Sequence, residues 1–122
     1  MAFTTHIRLP AMASLGFDSS HDAVTMRNAV FRLVLTRATA ALDDPADKDE
    51  LEMAEAFGGI AFDQLEMAQR KRIARAVHTG LCRLKSDVAA GTPLDEPVHP
   101  DIADKLDELI DFMSTHLDAR SS

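Results

Sequence analysis

The sequence predicts an all-α protein: a four-helix bundle-like single domain preceded by a short N-terminal extended arm. Three observations carry that prediction. Apolar residues recur at helical spacing in long stretches, capping residues with Gly or Pro punctuate the chain at four places, and clear period-two alternation is confined to residues 3–9. The 122 residues amount to one domain, and an apolar content of 46% is enough to build its core.

The arm, residues 1–18, comes first. Phe3, Thr5, Ile7 and Leu9 alternate with Thr4, His6 and Arg8, the period of a strand, and Pro10 ends the run. A lone strand leaves its backbone groups unpaired. The arm is therefore expected either disordered or draped on the bundle, or else paired with its mate across a dimer.

Helix 1 is expected over residues 20–42, with Ser19 or Ser20 as its cap and Asp22 favourable to the dipole of its first turn. Val24, Phe31, Val34, Leu35, Ala38 and Leu42 form a core stripe, while Met26, Ala29, Val30 and Leu33 carry apolar surface round the other side. A helix apolar nearly all round is buried on two sides. The second side is expected to be covered by a second copy, which makes Met26, Val30 and Leu33 the candidate homodimer interface.

Helix 2 is expected over residues 45–57. Asp44 caps it, Pro45 takes the first helical position where a missing N–H costs nothing, and Gly58 ends it in the left-handed conformation. Helix 3 is expected over residues 63–90, opened by the capping box Asp63-Gln64-Leu65-Glu66 and closed by Gly91-Thr92-Pro93. Its core side carries Leu65, Ile73, Ala76, Val77, Gly80 and Leu84. Helix 4, residues 100–119, buries Ile102, Leu106, Leu109, Ile110, Met113 and Leu117, and residues 120–122 are left as a disordered tail.

Residues 49–55, "DELEMAE", are echoed by residues 63–69, "DQLEMAQ", across Gly58-Gly59. The period of fourteen is two heptads. The repeat is read as two helices drawing on the same strong helix formers rather than as a duplicated ligand site.

Composition excludes more than it specifies. A formal charge of −7 disfavours nucleic acid and anionic membrane, both of which need a basic footprint. One cysteine, Cys82, rules out an internal disulfide framework and suits a reducing compartment. No apolar run approaches the 18 or so residues needed to span a bilayer, and the N-terminus lacks a signal-peptide core, so a cytoplasmic protein is expected. Arginine outnumbers lysine nine to four, an association with GC-rich bacterial coding.

No cofactor and no metal site are expected. Glu52-x-x-Glu55 and Glu66-x-x-Gln69 lack the histidines of a di-iron bundle, and His6, His21, His99 and His116 are scattered. Two charged surfaces remain as candidates. Lys71, Arg75, His78, Cys82 and Lys85 share the outer side of helix 3, and Asp104, Glu108, Asp111, Thr115 and Asp118 share that of helix 4, both spaced four and three residues apart. Such stripes are either solvated or bound by a partner.

Cys82 stands one turn from His78 among cations, surroundings that favour the nucleophilic form of a thiol, yet no oxyanion donor or third member accompanies it. Finally, helices 2 and 3 resemble a helix-turn-helix that would present Arg70, Lys71, Arg72 and Arg75 to DNA. Against that, the doubled glycine stretches the turn and the cluster lies past the helix start. The function expected is thus that of a non-catalytic interaction or regulatory protein acting as a homodimer, or with another protein. DNA-binding regulation through helices 2 and 3 is the alternative, and thiol chemistry at Cys82 a remote one.

Overall fold

The computed structural model describes residues 12–16, 23–94, 98 and 100–121. The alternating residues 3–9 and the proposed caps Ser19 and Ser20 lie outside them. In chain order the elements are β1 (Met12–Gly16), β2 (Ala23–Arg27), α1 (Asn28–Ala40), α2 (Pro45–Phe57), β3 (Gly59–Ala61), a 3-10 turn at Phe62–Gln64, α3 (Met67–Ala89) and α4 (Ile102–Ser121). The fold is therefore not plainly all-α. Four helices share it with a three-stranded mixed sheet of order β2-β1-β3, in which β1 pairs antiparallel with β2 and parallel with β3.

The first correction is at the start of helix 1. Residues 23–27 are a strand, and α1 begins only at Asn28, after Arg27 in an extended conformation. Burial alternates there: Met26 is buried between exposed Thr25 and Arg27, as Ala13 and Leu15 are on either side of exposed Ser14. Ala13 lies opposite Met26, and Leu15 opposite both Val24 and Ile60, so one sheet face turns its apolar residues to the helices. Val24 and Phe31 are seven residues apart, a spacing that suits a helix. They reach the core from two different elements.

The second correction follows from it. α1 packs on α3, on α2 and on the sheet, so both of its apolar sides are covered within the chain. Met26, Val30 and Leu33 are 0%, 4% and 3% exposed and have nothing to offer a second copy. At Gly80 the backbones of α1 and α3 meet: a Cβ there would stand 2.7 Å from the Val34 oxygen and 2.9 Å from the Ala38 nitrogen.

α2 occupies the expected span. Asp44 accepts a 2.8 Å bond from the Ala46 amide, Pro45 opens the helix, and Gly58, at φ 79°, returns its amide to the Ala54 oxygen. Gly59 has another reason to be glycine: a Cβ there would sit 2.6 Å from the Ser14 oxygen across the parallel pair.

The capping box expected at residues 63–66 does not form. Asp63 and Gln64 lie in the 3-10 turn, and Glu66 precedes α3 without a side-chain cap bond. Fully buried Phe62 anchors that turn instead, and the Arg70 guanidinium donates to the carbonyls of Asp63 and Leu65. The two copies of the repeat thus have different structures. Leu51 and Ala54 are buried within α2, whereas Leu65 precedes α3 and Ala68 is exposed. α4 begins at Ile102 rather than residue 100 and runs on to Ser121, into the stretch expected to be a tail.

Candidate functional site

Two residues of the α3 stripe, His78 and Lys85, reach α4 at the α3–α4 seam, through partners that lie outside the α4 stripe. His78 Nε2 and Ser114 Oγ share a hydrogen bond of 2.9 Å, and seven residues further along α3 the Lys85 ammonium pairs with Asp107, seven residues back along α4. The two helices therefore run antiparallel, and Leu81, Leu84, Leu106, Leu109 and Met113, all 0% exposed, belong to the apolar core between such contacts. Asp107 holds the Lys85 ammonium above its ordinary pKa, by its hydrogen bond first and its charge second. Lys71, Arg75, Asp104 and Asp111 remain exposed, and Glu108 pairs with Lys105 at 3.3 Å. Of the seven positions predicted on two partner-binding faces, His78 and Lys85 are thus engaged at the α3–α4 seam, Glu108 pairs within α4, and Lys71, Arg75, Asp104 and Asp111 are solvated.

Cys82 lies beside that seam, partly covered, in a depression of about 440 Å³ shared with Arg37, His78, Arg83 and Asp87. Its sulfur is 4.0 Å from His78 Nδ1, at the outer limit of a hydrogen bond to sulfur and too far for direct proton transfer. Arg37, across the depression, is already engaged by Asp87 at 2.8 Å and by the Leu33 carbonyl. The histidine is thus turned towards Ser114, and the thiol has a neighbour rather than a base. No group of three His, Cys, Asp or Glu residues able to hold a metal ion occurs among the described residues.

The basic cluster read as a DNA contact is also partly committed. Arg72 donates to Asp47, Nε to Oδ2 at 2.7 Å and a terminal nitrogen to Oδ1 at 3.2 Å, and Gln69 adds a bond of 3.3 Å. Asp47 is 1% exposed, the buried charged residue of the described core. The Arg72 guanidinium holds its carboxyl below the usual carboxylate range against the opposing effect of burial, with help from Gln69. This contact fastens the start of α2 to α3. Between the two helices lie β3 and the 3-10 turn, a longer connection than the tight turn of a helix-turn-helix.

A different surface stands out. Large apolar side chains are exposed at Met53 (51%), Phe57 (76%) and Met67 (53%). Met53 and Phe57 are one turn apart on α2, and Phe57 borders a groove of about 350 Å³ between Glu50 and Ala54 of α2 and Gly59, Ile60 and Ala61 of β3. Residues 45–57 carry five carboxylates against one lysine, so an apolar rim sits in an acidic setting. β3 is an edge strand, and among the described residues no strand lies on its other side.

The sequence gives one sign of this surface, a phenylalanine at the last position of an amphipathic helix. The three residues of β3 are too few to show an alternation.

Comparison with protein-family models, characterised proteins and solved structures gives no match. No helix of the described residues is long and apolar enough to cross a membrane.

Proposed function

We propose that this is a non-catalytic protein–protein interaction module whose contact surface is the α2–β3 face. The observation that carries the reading is Phe57, 76% exposed at the rim of a groove with Met53 one turn away. Aromatic and methionine side chains are enriched at protein interfaces, and few interface residues supply most of the binding energy. A thiol enzyme finds less support, because His78 stands 4.0 Å from Cys82 and is bonded to Ser114, and no oxyanion site can be named among the described residues. DNA binding also finds less, because Arg70 and Arg72 are engaged internally and the net charge is −7.

Homodimerisation through this face would bring Glu50 and Glu55 of one copy close to the acidic helix of the other, so a different chain is the better partner. The test is affinity purification of the full chain from its native host, beside Phe57→Ser. A stoichiometric partner lost from the variant, with helicity and melting temperature unchanged, supports the reading. Failure to find any partner whose recovery depends on Phe57 refutes it.

A further inference from the structure

The occupant of the groove can be given a chemistry. We propose that the α2–β3 groove binds an extended segment of another protein in which apolar side chains alternate with lysine or arginine, paired along the open edge of β3. This rests on the interaction reading above and goes beyond it.

Backbone groups carry the first part. Among the described residues β3 is bonded to β1 alone, and an edge strand presents its remaining N–H and C=O groups as a template for another chain. A segment added there places every second side chain against the face it joins. On this fold the groove beside β3 receives those side chains, since Ala54, Phe57 and Ile60 line it.

Charge carries the second part. Glu50 stands in the groove wall, and Asp49, Glu52 and Glu55 lie on the same helix. Of the two arginines at the start of α3, Arg72 is neutralised by Asp47, and Arg70, bonded to the carbonyls of the 3-10 turn, leaves a single positive charge against the four carboxylates. A segment whose other side chains are basic meets complementary charge there. An acidic one, or a second copy of this chain, meets its own sign.

β3 contributes only three residues, so the paired ladder is short and the interface small. Binding is accordingly expected to be weak, and weaker as salt screens the carboxylates.

The experiment is fluorescence anisotropy of the full chain with labelled decapeptides in which Lys or Arg alternates with Val, Ile or Phe. The controls are the same peptides with Glu in place of every basic residue, and the same peptides N-methylated at alternate amides. Expected results are binding by basic peptides, at least about tenfold weakening by N-methylation in one of its two registers only, and similar weakening by Phe57→Ser or Glu50→Lys. Circular dichroism of both variants, expected to match the wild type, checks that the fold is kept.

Three results overturn the proposal: no basic peptide bound below about 1 mM, acidic peptides bound as well as basic ones, or N-methylation without effect in either register. Concentration-dependent dimerisation abolished by Phe57→Ser also overturns it, by giving the groove to a second copy. If the peptides fail while a Phe57-dependent partner is still recovered from the host, the interaction reading survives and the extended basic segment does not.

Discussion

Replacing Gly80 by alanine tests the close approach of the α1 and α3 backbones. The added methyl would stand 2.7 Å from the Val34 carbonyl oxygen and 2.9 Å from the Ala38 nitrogen, where ordinary contacts begin at 3.4 Å. Both obstacles are backbone atoms of α1, so no side-chain rotation can relieve them, and α1 and α3 must part by about 0.7 Å. A gap of that size forfeits roughly a quarter to a half of the dispersion well for each atom pair along the seam. Overpacking of a well-filled core costs up to about 3 kcal/mol, while alanine regains about 1 kcal/mol of helix propensity, which leaves a net loss of about 2 kcal/mol. The measurement is a urea melt in which the midpoint falls at unchanged slope, with a drop in Tm of roughly 6–10 °C. Gly91→Ala is the control, since nothing lies within 4 Å of its Cβ position and only the strain of φ 73° remains, about 1 kcal/mol. Ala38→Gly should not rescue the variant, because the contact is with the Ala38 backbone. A Gly80→Ala protein as stable as the wild type, or more so, would refute backbone contact between α1 and α3.

At Gly59, alanine should cost about 1–3 kcal/mol, because its methyl would meet the Ser14 oxygen at 2.6 Å; faster amide exchange in β1 would localise the damage to the β1–β3 pair. Arg72→Ala should lower stability at neutral pH by leaving Asp47 buried with Gln69 alone. The folded carboxyl binds its proton less readily than the unfolded one, so the ion pair's contribution is complete at neutral pH. It declines as pH falls past the ordinary value of 3.8 and is gone below the lower folded value, where wild type and variant should converge in urea melts. Phe57→Ser should change stability by no more than about 0.5 kcal/mol, since a side chain that is 76% exposed loses little on truncation; a large drop in Tm would mean that Phe57 belongs to the core.

Helix periodicity was a good guide where one element buried one stripe. Ile73, Val77, Leu84, Leu106, Leu109 and Met113 are all 0% exposed, on the sides their spacing assigns to the core. It misled where two elements abut. Val24, Met26, Val30 and Leu33 look like one helix apolar all round because a strand and a helix are joined at Arg27-Asn28 with no Gly or Pro between them. The strand's alternation spans only five residues, and Ser19, Ser20 and Asp22 imitate a helix start. Sheet partners distant in sequence, Leu15 with Val24 and Ile60, leave no local signal at all. The groove at Phe57 was out of view for the same reason, since β3 has no pattern of its own.

The dimer face expected on helix 1 and the surface proposed at α2 differ in one physical respect. Apolar residues call for a partner only when nothing in their own chain covers them, and helix periodicity alone cannot see what a sheet covers. Val30 and Leu33 fail that condition, because β1, β2, α2 and α3 surround α1, and Met26 fails it on the buried face of β2. Met53 and Phe57 meet it, because α2 buries Leu51 and Ala54 while leaving those two side chains about half or more in water. The charges follow the same rule. Lys85 and Asp107 find each other across the α3–α4 seam, whereas Glu52 and Glu55, on the helix that carries Phe57, stay exposed. Apolar side chains and carboxylates exposed together beside an open strand edge are the features an extended basic segment would satisfy at once.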